Sequence, residues 1–204
     1  MSKLTVDEKE IECHKKAINS KIMLFMRVSL ITIVGFALYS CAAVGVLPTS
    51  NPMTKLHSAY RMMDEGRFRR ADQFTKEASE IFEKQGDQLG IAEAYHTYGN
   101  LYKNGHQWNY LYDLEKSKVY FERARELFER NKDYLGVAKS LFGMGNAVHY
   151  ENPTEACQHY RESLKAYEMA MSEKRNPAIP MAINQNYKDF PEMVKAFQKE
   201  IGCE

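Results

Sequence analysis

The strongest constraint on the fold of this chain is a repeat with a period of 46 residues. Residues 78–102 and 124–148 are ASEIFEKQGDQLGIAEAYHTYGNLY and ARELFERNKDYLGVAKSLFGMGNAV, and they are identical at ten aligned positions. A period of about 20 to 50 residues in a helical sequence is typical of solenoids, in which one small unit is stacked several times. The repeat therefore predicts a stack of similar units.

The apolar residues inside the repeat predict that each unit is helical. Phe121, Ala124 and Phe128 recur at spacings of three and four residues, which is the period of one helix face. Gly99 and Gly145 occupy equivalent positions of the repeat. Because glycine has no side chain, we expect one helix to approach the next closely at these two positions.

These features resemble the tetratricopeptide repeat, a helical hairpin that stacks into an α-solenoid. The resemblance rests on EGRFRRADQFTKEASEI in the first unit, Tyr98-Gly99 in the second and Met144-Gly145 in the third. The matching positions of the first unit are Gly66, Phe68, Ala71, Ala78 and Ile81. The resemblance implies an all-α fold in which residues 52–172 form three hairpins, at about 52–85, 92–131 and 138–171.

The remaining residues, 173–204, predict a linker and a capping helix. The segment SEKRNPAIPMAINQN contains two prolines, which interrupt helices. Asp189, Pro191 and Gly202 are suited to the cap, the first turn and the end of a helix from about 189 to 201. A solenoid needs a terminal helix to cover its last open face, so we expect this helix to be a cap.

The amino-terminal part contains an uncharged run at residues 28–47, VSLITIVGFALYSCAAVGVL, which has two interpretations. A run of about 20 apolar residues suits a transmembrane anchor over 26–47. The cations before it would then keep residues 1–25 in the cytoplasm as a tail. Alternatively, residues 26–40 are a secretory signal that is removed.

The second interpretation rests on Leu38-Tyr39-Ser40-Cys41, which resembles the lipobox of bacterial lipoproteins. The resemblance implies that Cys41 carries acyl chains such as palmitate, with residues 41–51 as a tether. It also implies an outer-membrane location facing the periplasm. Translation from Met26 would give a compact signal, so residues 1–25 are then a misassigned upstream extension. In the alternative, the protein crosses one membrane once, with its carboxyl-terminal domain outside the cytoplasm.

The charge and the composition argue against several classes of function. Lys and Arg total 28 against 27 acidic residues, a net charge of +1, and nucleic-acid binding usually needs a clustered basic face. The sequence contains neither a Cys-x-x-Cys pair nor a His-x-x-x-His pair, and such pairs are typical of zinc sites. No nucleophile has a paired base. We therefore expect no enzyme activity, cofactor, metal or small-molecule substrate.

The third unit contains Cys157, and the predicted capping segment contains Cys203. The sequence leaves two redox states possible for this pair. Outside the cytoplasm they either remain thiols or form a disulfide, which oxidising compartments favour. The disulfide would join the cap to the third unit.

For function, the resemblance implies a concave groove lined by the first helix of each unit. Asn100 and Asn146 occupy the place where an amide holds the backbone of an extended partner, or else they belong only to the repeat pattern. Lys103 and Lys139 would attract a carboxylate. The groove positions carried over from the family are Leu56, His57, Tyr60, Asp64, Glu93, His96, Asn100, Lys103, Lys139, Phe142, Asn146 and His149.

The second unit also contains a longer connection, KNGHQWNYLYD at 103–113. It carries Trp108, Tyr110 and Tyr112, and exposed large aromatic side chains mark contact surfaces. The alternative is that these rings fold back and pack on the third unit.

The sequence therefore predicts a non-enzymatic adaptor, anchored to the bacterial envelope, that binds a segment of a protein partner in its concave groove. The alternative is a structural or self-assembling envelope component whose groove is unused.

Overall fold

The computed structural model of the protein describes residues 50–105, 108–173 and 186–203. Seven helices and no strand occur in these ranges. The all-α class is therefore confirmed for the part of the chain that is described. The predictions for residues 1–49, which include the signal or anchor and the lipidation of Cys41, lie outside the described residues.

Short turns join most of the helices, which pack in the order in which they occur. They are α1 (Pro52–Asp64), α2 (Phe68–Gln85), α3 (Gln88–Lys103), α4 (Leu114–Arg130), α5 (Tyr134–Val148), α6 (Pro153–Ser172) and α7 (Phe190–Glu200). Each helix contacts the next one, and in addition α1 contacts α3 and α3 contacts α5. The first six helices thus form three neighbouring pairs, and α7 follows the last pair.

Polar side chains begin six of the described helices. In each, an Asn or Asp oxygen accepts a backbone N–H of the first turn, as N-caps do; these caps are Asn51, Asp87, Asp113, Asp133, Asn152 and Asp189. Two of these caps explain a difference from the predicted boundaries. Asp87 and Asp133 start α3 and α5 at residues 88 and 134, four residues before the predicted starts of the second and third units.

The repeated glycines make room for aromatic rings. A Cβ added at Gly99 would lie 2.6 Å from ring atoms of Phe121, and one added at Gly145 would lie 2.5 Å from the ring of Tyr160. Both rings are fully buried. The sequence predicted that the helix backbones approach each other closely at these glycines, with no side chain between them. Instead, a ring from the neighbouring helix fills the space.

The same tight turn ends α2 and α4, one repeat apart. Gly86 has a φ of +68° and Lys132 has a φ of +56°, so both have a left-handed backbone. In the first turn the N–H of Asp87 donates to the carbonyl oxygen of Phe82 at 3.0 Å, and in the second the N–H of Asp133 donates to that of Phe128 at 2.9 Å. A left-handed backbone favours glycine because it crowds a Cβ. The second turn therefore keeps the geometry of the first without its glycine.

The last helix covers the end of the row, at the position where the sequence predicted a capping helix. Phe190, Met193 and Val194 of α7 are buried. Between ring centroids, Phe142 of α5 lies 5.5 Å from Phe190 and 5.3 Å from Phe197. These contacts bury the apolar face of α7 against the third helix pair.

A disulfide ties the cap to the third pair. It joins Cys157 on α6 to Cys203, which follows α7, and the two Cα atoms are 5.6 Å apart. Of the two states that the sequence left open for these cysteines, the structure contains the disulfide.

Candidate functional site

The predicted groove residues of α1 and α3 bond to one another. The hydroxyl of Tyr60 lies 2.9 Å from Nδ1 of His96. Nδ2 of Asn100 donates to the carbonyl oxygen of His96 at 3.1 Å and to the Tyr60 hydroxyl at 3.4 Å. Burial, reinforced by the ammonium groups of Lys139 and Lys103, holds the pKa of His96 well below its usual range. The ring is therefore neutral at pH 7 and accepts at Nδ1.

The third helix pair repeats this arrangement with different elements. The hydroxyl of Tyr160 donates to Oδ1 of Asn146 at 2.8 Å and lies 2.7 Å from Nδ1 of His149. Since a tyrosine hydroxyl has one proton, Nδ1 of His149 is the donor in the second bond. Both of the amides that were predicted to hold a partner thus already bond to a tyrosine within the fold.

Ten of the twelve predicted groove residues are wholly or partly buried, and only His57 and Asp64 are exposed. Leu56 is completely buried in the core, and His149 is buried as well. Phe142 is partly buried. The ring of Phe197 on α7 lies 5.3 Å from Phe142 and 5.6 Å from His149. Their prediction as open groove residues is therefore corrected. The last helix packs over Phe142 and His149, whereas Leu56 lies in a core cluster with buried residues of α2 and α3.

The two predicted cations of the groove differ in their surroundings. Lys139 forms an ion pair with Glu93, which is almost fully buried. Nζ of Lys103 donates to Oδ1 of Asn104 at 3.0 Å, and burial lowers the pKa of Lys103 to about 8. Of the predicted groove residues on α1 and α3, His57 and Asp64 are exposed, whereas Lys103 is partly buried.

The aromatic loop after α3 is held by a residue that the sequence analysis missed. Asn109 is buried, and its Nδ2 donates to the carbonyl oxygens of Leu101 at 2.6 Å and Asn104 at 2.8 Å. The N–H of Leu111 donates to Oδ1 of Asn109 at 2.9 Å. An asparagine among aromatic residues gives no sequence signal of this role. Its bonds fix the loop on both sides of Trp108 and Tyr110.

The three aromatic side chains of the loop are placed differently. Trp108 is 82% exposed and Tyr110 is 65% exposed, so these two rings do not fold back on the third pair. Tyr112 is partly buried, and burial, followed by the charge of Glu151, raises its pKa. The alternative of packing on the third pair therefore fails for Trp108 and Tyr110.

Trp108 and Tyr110 instead line a pocket at the start of α2. The pocket is open, has a volume of about 480 Å³ and is also lined by Arg67, Arg69 and Arg70. We call these five residues the arginine pocket. The guanidinium carbon of Arg69 lies 6.0 Å from the ring centroid of Tyr110. The run RFRR at 67–70 is the part of this pocket that is visible in the sequence. The rest of α2 and all of α3 separate it from the aromatic loop along the chain, so the sequence does not show that the two meet.

Residues 50–105, 108–173 and 186–203 contain neither a candidate metal site nor a candidate membrane span. Within these ranges no three His, Cys, Asp or Glu side chains are grouped so that they could hold a metal ion. None of the helices in the same ranges combines the length and the hydropathy that crossing a bilayer requires. Comparison of the chain with protein-family models, with curated proteins and with solved structures finds no match.

Proposed function

We propose that this chain is a non-enzymatic adaptor that binds a protein partner and is built from three tetratricopeptide-like units and a capping helix. The unit assignment is supported by the three helix pairs and by the equivalent turns at Gly86 and Lys132. It is also supported by the aromatic rings packed at Gly99 and Gly145.

The exposure of Trp108 and Tyr110 is the observation that carries the proposal. Trp, Tyr and Arg are the side chains that most often dominate the binding energy of protein interfaces. Here they line one pocket, and the hydrogen bonds of Asn109 hold the loop in place before any partner arrives. A surface ordered in advance loses less conformational entropy on binding.

The concave groove is the second contact surface of the proposal. It offers the exposed side chains of His57 and Asp64 on α1 and the partly buried Lys103 on α3. Asn100 would contribute Oδ1, because the bonds described above engage its nitrogen. An extended partner segment could bind there whatever its own sequence, since an amide group can form hydrogen bonds with the partner's backbone.

A pull-down from detergent-solubilised envelope with the full chain tests the proposal. Trp108→Ala should weaken capture of the partner by at least about 2 kcal/mol, whereas Tyr150→Ala is the matched control. Tyr150 is 79% exposed but lies outside the arginine pocket. Asn100→Ala should weaken binding by roughly 1–3 kcal/mol if the groove is used.

Circular dichroism of each variant establishes that it folds. If the partner binds all the folded variants as tightly as the wild type, neither surface is the binding site and the proposal is wrong. Self-association in sedimentation experiments, with no partner captured, would instead favour the structural alternative.

For its location, we propose that the protein is attached to the bacterial outer membrane through a lipid on Cys41. The support is the sequence Leu38-Tyr39-Ser40-Cys41. Mass spectrometry should find a mature amino terminus at Cys41 with acyl chains, and Cys41→Ala should leave an unprocessed precursor. A native protein that begins before Val28 would reject the lipid and favour a transmembrane anchor.

A further inference from the structure

We propose that the arginine pocket binds an acidic segment of the partner, whose carboxylates meet the arginines while an apolar side chain packs on Trp108. This inference rests on the proposed adaptor function and adds the chemistry of the partner. It concerns a surface at the start of α2 and not the concave groove.

The charges around the pocket are unbalanced. Among the described residues, its lining contains three arginines and no carboxylate. Glu65, outside the lining, lies 3.2 Å from Nη1 of Arg67. An acidic segment would supply the missing negative charge.

The other two arginines contact neutral groups. Arg69 lies against the ring of Tyr110. Arg70 lies 4.7 Å from the ring centroid of Phe74 and donates to Oε1 of Gln73 at 2.7 Å. Among the described residues, neither arginine has a carboxylate within 4.0 Å. Arg70 also interacts electrostatically with Glu77, and Glu77 is itself bonded to Lys55 at 2.5 Å.

The planar guanidinium groups of the pocket suit a carboxylate ligand better than a single point of positive charge would. A guanidinium group that lies against an aromatic ring keeps its planar edge available for two parallel hydrogen bonds to a carboxylate. The exposed indole of Trp108 lines the same pocket and offers an apolar surface next to this edge. An acidic residue followed by an apolar one would engage both features.

The size and the total charge favour a peptide over a larger polyanion. The pocket of about 480 Å³ falls in the range of about 300–1,000 Å³ that is typical of sites for compact ligands. The chain as a whole carries a net charge of only +1. Nucleic acids and anionic membrane surfaces are usually bound by broad basic faces, so a short acidic segment is the better match.

The single tryptophan of the chain provides a direct test, because Trp108 is the only one. The full chain, reconstituted into phosphatidylcholine vesicles, would be titrated with an eight-residue peptide of alternating Glu and Leu while tryptophan emission is recorded. The control peptide has Gln in place of each Glu. We expect saturable binding of the acidic peptide and at least about tenfold weaker binding of the neutral one.

Two pairs of substitutions separate local charge from total charge. Arg69→Gln together with Arg70→Gln should weaken binding of the acidic peptide by about tenfold or more. Arg123→Gln together with Arg130→Gln removes the same charge from exposed positions of α4 and should leave binding unchanged. Raising the ionic strength from about 0.01 to about 0.15 M shortens the Debye length from about 30 to about 8 Å and should weaken binding.

Three results would overturn the inference. The first is equal binding of the acidic and neutral peptides, and the second is no change in Trp108 emission with either peptide. The third is a change caused only by adding anionic phosphatidylglycerol to the vesicles, which would make the surface a membrane contact. None of these results affects the pull-down with Trp108→Ala, so failure of the acidic partner and failure of the adaptor function are distinguishable.

Discussion

Nζ of Lys139 on α5 donates to Oε1 of Glu93 on α3, and these two residues occupy equivalent positions of successive repeats. Glu93 is 3% exposed, and its burial raises the pKa of its carboxyl although the ammonium group of Lys139 opposes the shift. Lys139 also lies 5.0 Å from the ring centroid of Phe128. The ion pair therefore joins the second helix pair to the third inside the fold.

Lys139→Met should destabilise the protein by about 3–5 kcal/mol, because it leaves the carboxylate of Glu93 buried without its partner. Urea denaturation followed by circular dichroism measures the free energy of unfolding. Glu93→Gln combined with Lys139→Met is the control. It removes both charges, so it should be considerably more stable than Lys139→Met alone. Equal stability of the single and double variants would contradict a buried, coupled pair.

Lys132→Gly should stabilise the protein by roughly 1 kcal/mol. Lys132 has a φ of +56°, a conformation that costs an L-residue about 1–2 kcal/mol and costs glycine little. The reciprocal change, Gly86→Lys, should destabilise by a similar amount because Gly86 has the same turn.

Lys84→Gly serves as the control for these turn variants. Lys84 lies inside the last turn of α2, where glycine is unfavourable by up to about 1 kcal/mol. In thermal unfolding, Lys132→Gly should therefore raise the stability of the protein, whereas Lys84→Gly should lower it. A change in the same direction at both positions would mean that the left-handed backbone of Lys132 carries no strain.

Gly99→Leu should destabilise the protein by about 1–3 kcal/mol through overpacking. The ring of Phe121 lies against Gly99 on α3 and also against Gly143 on α5, where an added Cβ would come within 2.5 Å of it. The ring therefore cannot move aside. Val119→Leu adds volume at a position that is 49% exposed and should change stability little. If Gly99→Leu lost no stability, the conclusion that this glycine makes room for the ring of Phe121 would be contradicted.

The neutral His96 predicts a dependence of stability on pH. Its folded pKa lies below the ordinary value of 6.5, so below about pH 6.5 the unfolded chain binds a proton that the folded protein excludes. Stability should therefore be greatest above this value and should fall as the pH decreases towards the folded pKa. A single group can contribute a slope of at most about 1.4 kcal/mol per pH unit.

His96→Gln should flatten this slope between about pH 7 and pH 5, as measured by urea denaturation at each pH. Glu93 has the opposite effect, because its raised pKa makes the folded state bind a proton more readily. Both proteins contain Glu93, so the difference between them isolates His96. At pH 8, where position 96 carries no added proton in either protein, the difference in unfolding free energy gives the effect of the substitution alone. Parallel profiles would mean that the ring is not held neutral.

The positions of the helices follow from the sequence because their signals are local. Asp189 and Gly202 predicted the last helix, and it extends from Phe190 to Glu200. An N-cap bonds to a backbone group two or three residues away, and an apolar face repeats every three or four residues. The same kind of signal marks the start of α3, since Asp87 caps it, whereas the repeat alignment places that start four residues later.

The contacts of the polar and aromatic side chains were decided by the tertiary structure. The sequence shows only that Asn100 recurs in the repeat, whereas its hydrogen bond to Tyr60 depends on how α1 packs on α3. Arg69 and Tyr110 likewise meet only because the first two helix pairs are neighbours.

Such pairings join residues about 40 positions apart, and they depend on crossing angles and rotamers that no local pattern specifies. The ion pair of Glu93 and Lys139 is the intermediate case. Its separation equals the repeat period, so the repeat brings the two positions near each other, and the packing of α3 against α5 determines that they bond.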